Sequence, residues 1–175
     1  MNPDHSLHSW LADYARTHIV QRYLEIGVRE GDSLRQVVGN SKTVGVLYMA
    51  DTWGSEYGGT GRHANHHIER MLDSMGYAGR RIYLAGDSKE TVPALPPQDW
   101  ADLILVDGDH SAAGALADLW NCWPRLTDGG RLVFHDVHHP AHRYLEPLFR
   151  EFVVMQGGEC EIITGGHGVG IAWKR

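Results

Sequence analysis

The sequence predicts an α/β fold: a doubly wound, mostly parallel seven-stranded sheet with helices on both faces and a C-terminal antiparallel hairpin. Three observations predict it. From residue 20 onward, short apolar runs alternate with amphipathic segments of helical period, the pattern of repeated βαβ units. Two runs, 102–106 and 131–135, end in Asp107-Gly108-Asp109-His110 and His135-Asp136. Open α/β sheets place their ligands at such carboxyl ends. The last two runs, 159–164 and 169–174, are separated only by Gly165-Gly166-His167-Gly168, too short a loop for anything but antiparallel strands.

The elements follow in order. Leu7, Trp10, Leu11, Tyr14 and Ala15 recur at helical spacing and predict an opening amphipathic helix. Residues 20–26 read as a strand that stops at Gly27. A helix is expected over 32–38, with Asp32 or Ser33 as its N-cap. The next strand covers 43–49 and ends near Asp51. A Gly-rich loop, TWGSEYGGTGR, precedes a helix over 63–75 with Ile68, Met71, Leu72 and Met75 on one face. Residues 81–85 form the third strand. Gly86-Asp87-Ser88 then opens a short helix closed by Pro93, Pro96 and Pro97. Between the fourth strand (102–106) and the fifth (131–135), Ala113, Leu116, Leu119, Trp120 and Trp123 mark a crossover helix. Asp128-Gly129-Gly130 reads as the turn after it. Leu145, Leu148, Phe149 and Phe152 form a further apolar stripe, with Pro147 in the first turn, where its missing N–H costs nothing.

Composition narrows the function classes. A chain of 175 residues suits a single domain, 1–175, with an N-terminal helix in 1–19 and the core in 20–175. No apolar stretch reaches membrane-spanning length, and the first ten residues lack the pattern of a signal peptide. Cys122 and Cys160 make neither a disulfide framework nor a zinc pair by spacing, so a cytoplasmic location is expected. A formal charge of -6 gives no global reason to bind nucleic acid. The 12 histidines cluster at His63, His66 and His67 and again at His135, His138, His139 and His142. Such clusters are either a solvated histidine-rich surface or local metal and proton chemistry. His138 and His139, just after the fifth strand, could touch substrate or serve as spare ligands, and are read as solvated.

Three turns carry candidate ligand groups. In LEIGVREGDS, Gly27 and Gly31 let the backbone bend and approach a ligand, ahead of a helix N-terminus with free N–H groups. The stretch lacks the G-x-G-x-x-G dinucleotide fingerprint. A carboxylate at Asp51 can accept both hydroxyls of a ribose; it can equally start a turn. Asp87-Ser88 could meet an adenine edge, while Asp87 with Glu90 matches a capping box in form. Trp53 and Tyr57 could stack on a base or sugar, or cover the core. Arg29 and Glu30 are expected to be exposed.

LEIGVREGDS, the acid in ADTWG, and DGDHSAAGALADLWNCWPRLTDGGRLVFHD together resemble class I S-adenosylmethionine-dependent methyltransferases. Within them they resemble small-molecule O-methyltransferases related to macrolide-sugar, rhamnosyl and catechol enzymes. The resemblance runs from about residue 20 to the C-terminus and implies a Rossmann-like sheet. It implies that Glu25, Gly27, Gly31 and Ser33 surround the methionine part of S-adenosylmethionine, that Asp51 holds the ribose, and that Asp87 and Ser88 line the adenine pocket, with Asp107 also at the cofactor. In metal-dependent relatives an acid ends the fourth strand and two ligands end the fifth. Asp107, His135 and Asp136 fit those places for Mg²⁺ or another divalent metal, with His-Asp standing where relatives carry Asp-Asp, Glu-Asp or Asp-Asn. In sugar-modifying relatives the histidine three residues after the first acid is the base, which is His110 here; Asp107 and His110 are thus the catalytic candidates. The implied activity is methyl transfer to a hydroxyl of a small acceptor, a sugar or a phenol. Two other readings stand beside it: a methyltransferase-like module that binds cofactor or metal without turnover, and a nicotinamide-dependent oxidoreductase. A homodimer would complete the open site.

Overall fold

The computed structural model describes residues 4–54, 64–98 and 100–175. The chain opens with α1 (His5–Thr17), which buries Leu7, Leu11 and Ala15. Then come β1 (Arg22–Ile26), α2 (Asp32–Asn40), β2 (Val46–Asp51), α3 (Ala64–Ser74), β3 (Arg80–Ala85) and the single-turn α4 (Ser88–Thr91). The second half carries β4 (Ala101–Val106), α5 (Ala112–Cys122), β5 (Leu126–His135), α6 (Leu145–Met155), β6 (Glu159–Ile163) and β7 (Val169–Trp173). A 3-10 turn, Trp123–Arg125, joins α5 to β5.

The seven strands form one sheet in the order β3-β2-β1-β4-β5-β7-β6. The pairs β1·β2, β1·β4, β2·β3 and β4·β5 are parallel. Strand β7 runs antiparallel to both β5 and β6, so the terminal hairpin inserts its second strand next to β5. This is the expected fold class. The central strands are buried on both faces. One layer gathers Leu24, Ile26, Ile104, Val106 and Phe134 with Phe149 and Phe152 of α6. The other gathers Tyr23, Leu47, Met49, Leu103 and Leu105 with α1, α2 and α3. Among the described residues no helix is long and apolar enough to cross a membrane.

Three local expectations are corrected. Helix α2 is not capped by Asp32 or Ser33; its N-cap is Gly31 at φ 77, with no side-chain cap. A Cβ there would run into Ile68 and Met71 of α3, so Gly31 lets two helices pack closely. Gly129 and Gly130 do not form a free turn. They lie within β5, where the register with β4 shifts between Ala101 and Leu103 and Gly129 takes φ 80, as in a bulge. On α5 the buried stripe is Ala115, Asp118, Leu119 and Cys122, while Leu116 and Trp120 are exposed. The other expected elements are present, with boundaries shifted by a few residues.

Candidate active site

The chain leaves β1 in one direction across the sheet, through β2 and β3, and returns through β4 in the other. The crevice at that reversal lies over the carboxyl ends of β1 and β4, which is where such sheets open a site. A cleft of about 670 Å³ occupies it. Its lining includes Gly27, Asp51, Asp87, Ser88, Asp107 and His110, together with His135 and Asp136. Five separate strand ends thus supply one cavity.

Gly27 makes the crevice possible. It takes φ 85, and a Cβ on it would overlap the Asp107 carbonyl. Beyond it Arg29 adopts φ 48 and donates its backbone N–H to Asp51 Oδ2 at 2.9 Å. The Trp53 N–H donates to Asp51 Oδ1 at 2.7 Å. Both carboxylate oxygens are therefore oriented, and each keeps a lone pair for a second donor. The Trp53 ring turns away, lying 5.9 Å from the Tyr83 ring and packing on the inner core, so it covers the core. Tyr57 and His63 lie outside the described residues. Arg29 and Glu30 are exposed, as expected.

Asp87 caps α4 by accepting the Lys89 N–H at 2.9 Å. Its neighbour Ser88 donates its hydroxyl to Asp118 Oδ1 at 2.6 Å. Asp118 itself is 0% exposed. Burial pushes its carboxyl up to about 6, against the Ser88 hydrogen bond and the Lys89 charge, which lower it.

Glu25, Gly31 and Ser33 do not line the cleft. Alternation along β1 puts Leu24 and Ile26 in one core layer and Tyr23 and Glu25 on the other side. Glu25 is 1% exposed, and its Oε2 has no hydrogen-bond partner. Burial raises its carboxyl well above the usual range.

At the other end of the cleft, carboxylates and imidazoles interlock. His135 Nδ1 is hydrogen-bonded to Asp107 Oδ1 at 3.2 Å and lies 3.6 Å from Asp136 Oδ1. His110 Nε2 lies 2.9 Å from Asp136 Oδ2 and 3.6 Å from Asp107 Oδ1. These are charge contacts, because no aligned hydrogen bond forms at that nitrogen. His167, in the turn of the terminal hairpin, reaches Asp136 Oδ1 at 3.1 Å. Burial alone would raise the Asp107 carboxyl, but His110 and His135 outweigh it and hold it at about 2. The same contacts, with Asp107 first and Asp136 second, push the His110 imidazole up to about 10. Burial opposes charge on His135 too, yet Asp107, Asp136 and Asp4 raise it.

Asp107, His110 and Asp136 each present a ligand atom, all within 4.8 Å of one another. Two carboxylates and an imidazole make a plausible donor set for a divalent ion. His135, which the resemblance placed beside Asp107 and Asp136, has its Nδ1 turned to Asp107. His142 was not anticipated in the site, and His139 was expected to be solvated. His139 lines the cleft with its ring 4.4 Å from His167 and 4.9 Å from His142. His138, by contrast, points to Glu146 at 2.8 Å. His67 lies 3.8 Å from Glu30, away from this cluster.

A family model described as a methyltransferase domain matches residues 24–137. No curated protein matches the sequence. Among solved structures, the SAH-bound methyltransferase PaMTH1 of Podospora anserina superposes with a TM-score of 0.71 at 14% identity, covering 97% of this chain and 78% of its own. Cofactor-bound Rv0187 from MTB gives a TM-score of 0.73 at 19% identity, over 98% of this chain and 80% of its own. The apo TDP-rhamnose 3′-O-methyltransferase of calicheamicin biosynthesis gives 0.71 at 18% identity, over 98% and 80%. At these identities the structures share a fold. The family match spans strand β1 to just past Asp136 and so encloses most of the cleft, and on that match the chain belongs to the methyltransferase domain family.

Proposed function

We propose that the protein transfers a methyl group from S-adenosylmethionine to a hydroxyl of a small acceptor, a sugar or a phenol. The observation that carries this reading is the convergence of Asp51, Ser88 and Asp107 on one cleft that ends in a carboxylate–imidazole cluster. The fit to an adenosyl ligand rests on the chain's own groups. Asp51 offers two pre-oriented oxygens to vicinal hydroxyls. Gly27 lines the cleft while packing against the Asp107 carbonyl. Two of the solved relatives were determined with SAH or cofactor bound, and another acts on a rhamnosyl hydroxyl by its name.

Bound S-adenosylmethionine would supply an already activated methyl electrophile. What remains for the protein is to align the acceptor oxygen and manage its proton. The cluster at Asp107, His110 and Asp136 lines the same cleft as Ser88 and can do both. His110 holds its proton while it faces two carboxylates, so in this arrangement it donates to, and orients, an acceptor oxygen. It becomes a base only when those carboxylates are neutralised by another charge. Alternatively, with His110 deprotonated, Asp107, His110 and Asp136 would hold a divalent ion, which would supply Lewis acidity to a coordinated hydroxyl. A set with imidazole in it favours Mn²⁺ or a softer ion over Mg²⁺.

Ligand-dependent melting tests the reading. S-adenosylhomocysteine should raise the melting temperature, and NAD should not. Labelled S-adenosylmethionine with a panel of sugars and phenols, with and without Mn²⁺ or Mg²⁺, should then yield labelled product. Stabilisation by NAD alone would overturn the proposal. Binding of S-adenosylhomocysteine without any acceptor methylated would favour a module that binds without turnover.

A further inference from the structure

The crossover helix α5 buries Gly114, Ala115, Leu119 and Cys122, and in the same stripe the carboxylate of Asp118. A charge on an otherwise apolar face is costly and calls for a compensating partner. Asp118 Oδ1 has one, the Ser88 hydroxyl at 2.6 Å. Asp118 Oδ2 has no hydrogen-bond partner and lies under Gly108, where an added Cβ would come within 3.0 Å of it. Ser88 and Gly108 both line the cleft. The carboxylate therefore sits just beneath the cleft floor, without lining it.

We propose that Asp118 fixes the hydrogen-bond polarity of Ser88, so that the cleft accepts a purine carrying a 6-amino group and rejects one carrying a 6-oxo group. This rests on the reading of the cleft as an S-adenosyl site. A carboxylate can only accept hydrogen bonds, and a serine hydroxyl has one proton. That proton is committed to Asp118, through a short, charge-assisted bond. The Ser88 hydroxyl oxygen then keeps only lone pairs. It can accept from an amino group and cannot donate to a carbonyl. Asp118 is thus a positioning residue that acts through Ser88. Its carboxyl, raised to about 6, is ionised under mildly alkaline conditions even with Asp87 and Asp109 nearby, and Lys89 favours that state. Asp87 is a second acceptor at this end of the cleft; the Lys89 backbone N–H and side chain engage its oxygens, and it does not depend on Asp118.

The test is calorimetric titration at about pH 8 with S-adenosylhomocysteine and with S-inosylhomocysteine, its 6-oxo counterpart. Wild-type protein should favour the adenosyl compound by roughly tenfold or more, the usual cost of leaving a buried polar atom facing its like. Asp118→Leu frees the Ser88 hydroxyl to turn either way and should bring the two affinities within about threefold. Ser88→Ala, a change at the cleft surface, should lose the same discrimination without disturbing the helix face. A purely structural Asp118 would alter both affinities together and leave their ratio alone. An unchanged ratio in Ser88→Ala, or in a folded Asp118→Leu, overturns the inference. Equal binding of both compounds by wild-type protein overturns it while leaving the methyltransferase reading intact. Failure of wild-type protein to bind either compound overturns both.

Discussion

Gly27 lies so close to Asp107 that a Cβ on the glycine would overlap the aspartate's carbonyl oxygen. The Asp107 N–H in turn donates to the carbonyl of Ile26 at 3.0 Å. The first and fourth strand ends are therefore locked together at the reversal of the sheet. Gly27→Ala should cost both backbone strain at φ 85, roughly 1–2 kcal/mol, and overpacking, typically about 1–3 kcal/mol. Urea denaturation should show a loss of about 2–5 kcal/mol. A loss below about 0.5 kcal/mol, the size of an ordinary surface change, would mean that the contact is not tight.

Asp51 has two tasks. Its oxygens hold the turn through the Arg29 and Trp53 N–H groups, and they face the cleft. Asp51→Asn keeps the shape but turns one acceptor into a donor. S-adenosylhomocysteine affinity should fall about tenfold or more, as expected when a site's polar group is left mismatched. The melting temperature without ligand should fall as well, because the new amide N–H₂ faces the Arg29 or the Trp53 N–H. Equal affinity of variant and wild type in calorimetry would remove Asp51 from the ribose site.

The strands were legible because both faces of the central sheet are covered, so β1, β2, β4 and β5 read as apolar runs. The terminal hairpin was legible because four residues cannot cross a sheet. Gly129-Gly130 misled because glycine marks bulges as readily as turns, and only the β4·β5 register separates the two. On α5 angular position, not side-chain size, marks the buried face, and Leu116 and Trp120 fall outside it. Residues 115, 118, 119 and 122 keep helical spacing, and the acid at 118 within that stripe is the signal that would have exposed Asp118. His167 could not be placed from sequence. It reaches Asp136 only because β7 lies beside β5. Glu25 shares the sheet face of Asp51, one strand over, but lies deeper, buried and off the cleft lining.

The imidazole that joins the two carboxylates can be identified by metal binding alone. Electron paramagnetic resonance of Mn²⁺ titrated into the protein reads occupancy without turnover. Asp107→Ala and Asp136→Ala should each weaken binding well beyond tenfold, because ligand removal exceeds the roughly 10–100-fold cost of losing an outer partner. His110→Ala should weaken it more than His135→Asn, whose amide can keep the hydrogen bond to Asp107. The reverse order would restore His135 to the ligand set.

Asp118 should leave a pH signature in stability. Its carboxyl has an ordinary value of 3.8 and is pushed up to about 6, first by burial, with Asp87 and Asp109 adding and Ser88 and Lys89 opposing. A raised carboxyl means that the folded state holds its proton longer than the unfolded chain does. Its contribution is then most favourable below about pH 4 and is lost as pH rises through 6. That change is worth about 3 kcal/mol at 1.36 kcal/mol per pH unit. Asp118→Asn carries no such charge, so at neutral pH it should match or exceed the wild-type stability, with the difference growing between about pH 4 and pH 6. Denaturation at several pH values checks this. A constant offset between variant and wild type would show that the carboxylate is not strained by burial, and an acid kept there would then need no functional explanation.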